Sequence, residues 1–101
     1  MPPAMTKQAK LGDGEVTAFV GAHPSWAKKG DALAKTFAFE AYEDGLAFAV
    51  RVGFAAEKRD HHPDFHIGWR KVEVVWTTHD AGGITALDVE MAGASDKIFE
   101  R

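Results

Sequence analysis

Residues 65–77 read FHIGWRKVEVVWT, and apolar and polar side chains alternate along them twice in succession. A repeat of two places every second side chain on the same face of a β-strand. The alternation therefore predicts two half-buried strands, joined by a tight connection near Arg70 and Lys71. Since neither Asn-Gly nor Asp-Gly marks this turn, the prediction rests on the alternation alone.

A second pair of strands is predicted upstream, over residues 25–40. Lys29, Gly30 and Asp31 have the composition of a turn between its two arms. Four alternate positions of the second arm share one face, and three of them are apolar: Leu33, Lys35, Phe37 and Phe39. This pattern is typical of a strand with one buried face.

The longest helix is predicted over residues 41–59, and Pro63 is expected to end it. Its apolar stripe is broad and consists of Tyr42, Leu46, Phe48, Ala49, Val52, Gly53 and Ala55. Gly45 and Gly53 each weaken a helix by about 1 kcal/mol relative to alanine. Their presence indicates that another element packs closely against this helix.

Two further helices are predicted near the ends of the chain. The first begins at Asp13, which is expected to cap it, and Pro24 closes it. The last begins at Thr85 and Asp88, whose Thr-x-x-Asp spacing is that of a capping box. The buried row of this last helix is predicted to be Leu87, Met91, Ala94 and Ile98.

The resulting order, α-β-β-α-β-β-α, predicts an α+β fold: a four-stranded antiparallel sheet with helices packed on one face. A length of 101 residues suits one domain. Residues 1–10 are predicted to be a flexible N-terminal lead-in, and residues 11–101 a single domain. The three tryptophans, Trp26, Trp69 and Trp76, are expected in its core.

Composition excludes several classes of protein. A formal charge of −3 with interspersed charges argues against direct binding of nucleic acid. No run of about 18 apolar residues is present, so no membrane span is predicted. The absence of cysteine excludes disulfides, cysteine-ligated zinc and a thiol nucleophile. A cytoplasmic location is the expectation, because the N-terminus also lacks the apolar core of a secretory signal.

Histidines are the candidate catalytic residues of this chain, which contains five of them. Two adjacent ones, His61 and His62, follow the long helix, and His79 comes at the end of the fourth predicted strand. Imidazole exchanges protons near neutral pH, so histidines facing one another across a pocket could supply both an acid and a base. His23 and His66 are interpreted as surface or capping residues.

Simpler explanations exist for other polar residues in the same region. Asp88 could do no more than cap the last helix, and Asp60 could accept a hydrogen bond at the end of the long helix. His62 and His66 have the spacing of metal ligands on a helix, but Pro63 between them disfavours that helix. No metal site is therefore predicted.

The segment AEKRDHHPD, residues 56–64, and several later positions together resemble the pterin-4a-carbinolamine dehydratase family. The later positions are Trp69, Val72, Thr78-His79-Asp80, Gly83, Thr85 and Asp88. Trp26 and the Lys-x-Phe-x-Phe strand also match, so the resemblance covers residues 13–99. The chain departs from the usual pattern at Gly45, at Ile67-Gly68 and at Trp69, where alanine, Asn-Val and tyrosine are common.

The resemblance implies a hydro-lyase that converts 4a-hydroxytetrahydrobiopterin to quinonoid dihydropterin and water, in tetrahydrobiopterin recycling. It implies that His61, His62 and His79 are catalytic, with His61 and His79 transferring protons and His62 mainly binding the pterin. The other residues it places at the substrate are Glu57, Asp60, Pro63, Thr77, Thr78 and Asp88. It implies no metal or organic cofactor, and a homodimer or homotetramer formed through the sheet edge and the long helix.

Two other functions stay open at this point. Some relatives of the same fold assist dimerisation of a transcription factor or assembly of a carbon-fixing enzyme, so a non-catalytic binding or regulatory module is the main alternative. Such modules would be expected to lose the pocket histidines, and this chain retains all three. A small His-Asp metal-binding domain is the third possibility, and it predicts stability that depends on metal.

Overall fold

The computed structural model describes residues 8–101, which form three α-helices and one four-stranded antiparallel sheet. Along the chain the elements are α1 Asp13–Ala22, β1 Ala27–Lys29, β2 Ala32–Ala38, α2 Tyr42–Arg59, β3 Asp64–Gly68, β4 Lys71–Trp76 and α3 Ala86–Phe99. A 3₁₀ turn, His79–Ala81, lies between β4 and α3. The predicted α+β class and the order α-β-β-α-β-β-α are confirmed.

The N-terminal lead-in falls mostly outside this description, since residues 1–7 are not among the described residues. Lys10 forms an isolated antiparallel bridge with Thr85, and the backbone N–H of Leu11 donates to the carbonyl of Ile84. Among the described residues, regular backbone contacts with the domain therefore begin at Lys10.

The sheet has the strand order β1-β2-β4-β3, so β2 and β4 are central and β1 and β3 are edges. Along β4 the side chains of Val72, Val74 and Trp76 are fully buried, while the residues between them are not. Because strand residues alternate between faces, this pattern shows that α2 and α3 cover one face of the sheet. The two predicted hairpins are both present.

The β3–β4 turn lies one residue earlier than predicted, at Trp69 and Arg70. Arg70 adopts the left-handed conformation, with φ of 62°, and this reverses the chain. Trp69 therefore leaves the strand, and the residue is 74% exposed. The prediction of a core position is wrong for Trp69 and confirmed for Trp26 and Trp76.

The buried face of α2 is rotated relative to the predicted stripe. Its buried residues are Gly45, Phe48, Ala49, Val52 and Ala56. Tyr42 and Leu46 are exposed instead, on a flank that the sheet does not cover. Close packing is confirmed at Gly45, where a Cβ atom would lie 3.2 Å from a Val72 methyl group and 3.3 Å from the Phe39 ring. Nothing packs closely on Gly53.

The start of α1 differs from the prediction, and the end of α2 has a different cause from the one predicted. Gly12, not Asp13, is the N-cap of α1, and its N–H donates to the carboxylate of Glu15 over 3.0 Å. α2 ends at Arg59, as predicted, but the residue that ends it is Asp60, which takes the left-handed conformation with φ of 51°; Pro63 lies further along the chain. The predicted Thr85 cap of α3 is confirmed.

Candidate active site

One cavity of about 300 Å³ brings the three predicted histidines together. It is lined by Asp60, His61, His62, Thr77, Thr78, His79 and Asp80. The first three residues follow α2, and the other four follow β4. Two chain segments that are far apart in sequence therefore form one site.

The register of β3 on β4 explains why these segments meet. Asp64 pairs with Val75 in an antiparallel ladder, so the residues before Asp64 run beside those after Val75. The turn at Asp60 delivers the chain from α2 to this position, and the N–H of His61 closes it by donating to the Ala56 carbonyl over 3.1 Å. The rings of His61 and Trp76 then stack, with centroids 5.7 Å apart.

His61 is held by a buried carboxylate. Its Nε2 lies 2.5 Å from Oδ1 of Asp88, and the exposed fractions of the two side chains are 11% and 0%. The other oxygen, Oδ2, accepts hydrogen bonds from the hydroxyl of Thr78 over 2.7 Å and from the backbone N–H of Thr85 over 2.8 Å. A carboxylate that accepts from every neighbour requires Nε2 of His61 to be the donor. In the neutral imidazole the lone pair is then on Nδ1.

His62 lies in a more open environment. Its Nε2 is 2.8 Å from Oε1 of Glu57, and 58% of the His62 side chain is exposed. Glu57 does not line the cavity, so its contact with the site runs through His62. This histidine can therefore reorient toward a ligand at a lower cost than His61.

His79 is the first residue of the 3₁₀ turn, whereas the sequence predicted it at the end of a strand; β4 already ends at Trp76. The turn is fixed by two backbone hydrogen bonds between Thr78 and Gly83, and Gly82 takes a φ of 75° within it. His79 is exposed and lines the same cavity as His61 and His62.

The other predicted site residues divide into two groups. Asp60, Thr77 and Thr78 line the cavity with the histidines, whereas Pro63 and Asp88 do not. Asp88 caps α3 and also contacts His61, so it combines a structural and a positioning contact.

Two contributions to the site were not predicted. Asp80 lines the cavity. Its position next to His79 in the sequence is the one feature that could have predicted this. The hydroxyls of Thr78 and Thr85 lie 2.9 Å apart beside Asp88, and no spacing in the sequence indicates this contact.

The remaining histidines lie away from the cavity, as predicted. Nδ1 of His23 is 3.1 Å from the Phe19 carbonyl in the last turn of α1. His66 is exposed on β3. The surface and capping interpretation of these two residues is confirmed.

An exposed ion pair fixes the end of α2 next to the site. Arg59 donates two hydrogen bonds to Glu90 of α3, over 2.6 and 3.0 Å. The hydrogen bond from Arg59 lowers the pKa of Glu90, and the hydrogen bond to Glu90 raises the pKa of Arg59.

Among residues 8–101, no group of three or more potential ligands is arranged to hold a metal ion. No helix within the same residues is long and apolar enough to span a membrane.

Known proteins resemble this chain over nearly its whole length. Residues 9–98 match the family model described as pterin 4 alpha carbinolamine dehydratase. A protein of Natronomonas pharaonis, provisionally named pterin-4-alpha-carbinolamine dehydratase, is 46% identical over 91 residues, which are 90% of this chain and 97% of that protein. A protein of Roseiflexus sp. (strain RS-1) with the same provisional name is 42% identical, over 89% of this chain and 97% of its own length.

Two solved structures share the fold. The crystal structure of a transcriptional coactivator/pterin dehydratase from Brucella melitensis superposes with a TM-score of 0.83 at 30% identity, covering 88% of this chain and 97% of that one. A pterin dehydratase-like protein described as a RuBisCO assembly factor in the alpha-carboxysome gives a TM-score of 0.60 at 23% identity, over 73% of this chain and 86% of its own. The second likeness supports the fold alone. The family model and the close relatives establish that this chain belongs to the pterin-4a-carbinolamine dehydratase family.

Proposed function

We propose that this protein is a hydro-lyase that converts 4a-hydroxytetrahydrobiopterin to quinonoid dihydropterin and water, in tetrahydrobiopterin recycling. The observation that carries the proposal is the cavity in which His61, His62 and His79 meet. Loss of water from C4a needs one proton removed from N5 and one delivered to the departing hydroxyl. Histidines on two walls of one cavity can supply both functions near neutral pH.

The contacts of His61 suggest how the two proton transfers are divided. With its Nε2–H directed to Asp88, His61 has a lone pair at Nδ1 and can take the proton from N5. The electron pair left on N5 forms the N5–C4a double bond as the C4a–O bond breaks. His79, on the other wall, donates a proton to the hydroxyl, which leaves as water. Neither step consumes or produces electrons.

His62 is proposed to bind the pterin rather than to transfer a proton. Replacing His62 by alanine is expected to raise KM about tenfold with little change in kcat, since one hydrogen bond to a polar ligand contributes about 1.4 kcal/mol. Steady-state kinetics with the purified variant measures this split. His66→Ala, on the exposed face of β3, is the matched control and should keep both constants. A loss confined to kcat would contradict the binding role.

The experiment that tests the function is the rate of 4a-hydroxytetrahydropterin dehydration by the purified protein, with and without a chelator. The expected result is turnover well above the spontaneous rate, unaffected by the chelator and lost in the His61→Ala/His79→Ala double variant. A folded protein with only the spontaneous rate would contradict the proposal and favour a non-catalytic binding module. Retention of the three histidines in one cavity favours the enzyme. The cytoplasmic location stays a prediction of the sequence.

Self-association is also part of the proposal. Large apolar side chains are exposed on the edge strand β3, on the turn after it and on the uncovered flank of α2: Ile67, Trp69, Tyr42 and Leu46. The outer edge of β3 has no strand partner among the described residues. An open edge next to exposed apolar side chains suits pairing with a second copy, giving a homodimer or homotetramer.

Replacing Ile67 by lysine is expected to shift this assembly to the monomer, because a charge would be buried at the paired edge. Light scattering coupled to size-exclusion chromatography measures the mass. Thr36→Lys adds the same charge on an exposed position of the central strand β2 and should leave the mass unchanged. An Ile67→Lys variant with the mass of the wild type would place the interface elsewhere.

A further inference from the structure

We infer that the groove between α2 and α3 binds a small amphipathic organic anion. The groove has a volume of about 410 Å³ and is lined by Arg51, Phe54, Ala55, Lys58, Ala94, Lys97, Ile98 and Arg101. Four of these residues are basic, four are apolar, and none is acidic. Basic side chains beside apolar ones can bind a ligand in which an acidic group is attached to an apolar group.

The four basic side chains have no acidic partner among the described residues. Arg51, Lys58, Lys97 and Arg101 are absent from the ion pairs of residues 8–101, and residues 1–7 contain no aspartate or glutamate. By contrast, Arg59, the neighbour of Lys58, forms an ion pair with Glu90. The chain has 12 lysines and arginines and a charge of −3, so four unpaired cations in one groove are a local concentration of positive charge.

A second cavity of about 250 Å³ continues the groove and shares Arg51, Ile98 and Arg101 with it. Three aromatic side chains also line this second cavity: Phe39, Phe48 and Phe99. Asp44 is its one acidic residue. The acidic group of a ligand is therefore expected among the cations of the first cavity, with its apolar body directed toward the phenylalanines. Arginine prefers carboxylate, sulfonate or phosphate oxygens because its guanidinium donates two parallel hydrogen bonds.

The groove is separate from the cavity that contains the histidines, and its centre lies away from Tyr42 and Leu46. It shares no residue with the cavity that contains the histidines. Successive helix residues are rotated by about 100°, which places Arg51 roughly 140–180° around α2 from Tyr42 and Leu46. By the same geometry Phe54 lies only about 80° from Leu46, so the groove borders the exposed flank of α2. Binding in the groove does not depend on the proposed reaction.

The test uses anilinonaphthalenesulfonate, an aromatic anion whose fluorescence rises in apolar surroundings. Titration of the native protein is expected to show one saturable site, and the Arg51→Gln/Lys97→Gln double variant should bind at least about tenfold more weakly. The matched control, Lys28→Gln/Lys71→Gln, removes two charges from the sheet and should bind like the wild type. Thermal unfolding of each variant shows that it is folded.

Several outcomes would overturn the inference. Unchanged dye affinity in the Arg51→Gln/Lys97→Gln variant, or no saturable site in the wild type, would show that the groove does not bind the anion. Displacement of the dye by an equal concentration of inorganic phosphate would show that the apolar floor contributes nothing. Displacement by a short single-stranded oligonucleotide would assign the groove to nucleic acid. Affinity that falls as the protein concentration rises would assign it to a second copy of the chain.

Discussion

Replacing either His61 or His79 by alanine is expected to lower kcat for 4a-hydroxytetrahydropterin dehydration by about 10²–10⁴-fold. Each substitution removes one of the two groups proposed to move a proton, and water has to take its place. KM should change much less, because His62 and the polar walls of the cavity remain. Stopped-flow measurement of dehydration, corrected for the spontaneous rate, gives both constants.

The two single variants and the double variant together separate a shared role from independent ones. If the two histidines act in the same step, the double variant should lose little more than the worse single variant, because such effects are not additive. His23→Ala, at the C-cap of α1, is the control and should keep the full rate. Full activity in His79→Ala would remove this residue from the mechanism and leave His61 with both transfers.

The fold was predictable where a repeat in the sequence matches a regular element. The alternation over residues 65–77 defines β3 and β4, and the Thr-x-x-Asp spacing of Thr85 and Asp88 marks the start of α3. Trp69 was predicted incorrectly because alternation continues into the turn, and only the left-handed conformation of Arg70 ends the strand. Asp60 ends α2 by the same means. Neither residue is a glycine, so residue type did not mark which position in each turn takes the left-handed conformation.

The cavity was predictable only through the pattern of the whole segment, since spacing alone left each histidine with a surface or capping explanation. Residues 60–62 and 77–80 meet because Asp64 pairs with Val75. That register belongs to the tertiary structure, and the sequence pattern does not specify it. The contact between Asp88 and His61 shows most clearly what a sequence pattern does not predict. The Thr-x-x-Asp spacing predicts a cap, and it says nothing about what the second carboxylate oxygen contacts.

Replacing Asp88 by asparagine is expected to lower kcat about as much as removing His61, although it changes a residue that does not line the cavity. The backbone N–H of Thr85 can only donate, so the amide oxygen of the asparagine should face it and the amide NH₂ should face His61. Nε2 of His61 must then accept, and its proton moves to Nδ1. The atom proposed to take the substrate proton would become a donor. The same change of tautomer costs about 10⁴-fold in a Ser-His-Asp triad.

A structural role for Asp88 makes a different prediction, so the two can be separated. Nitrogen NMR of the His61 ring reports which nitrogen carries the proton, and it should show Nδ1–H in Asp88→Asn and Nε2–H in the wild type. Asp96→Asn is the matched control: this carboxylate accepts from Trp26 and Lys35, away from the cavity, and the variant should keep kcat. An Asp88→Asn protein that is folded, active and unchanged in its His61 tautomer would reduce Asp88 to a helix cap. A tautomer change with retained turnover would instead place proton abstraction on another group, and His62 and His79 line the same cavity.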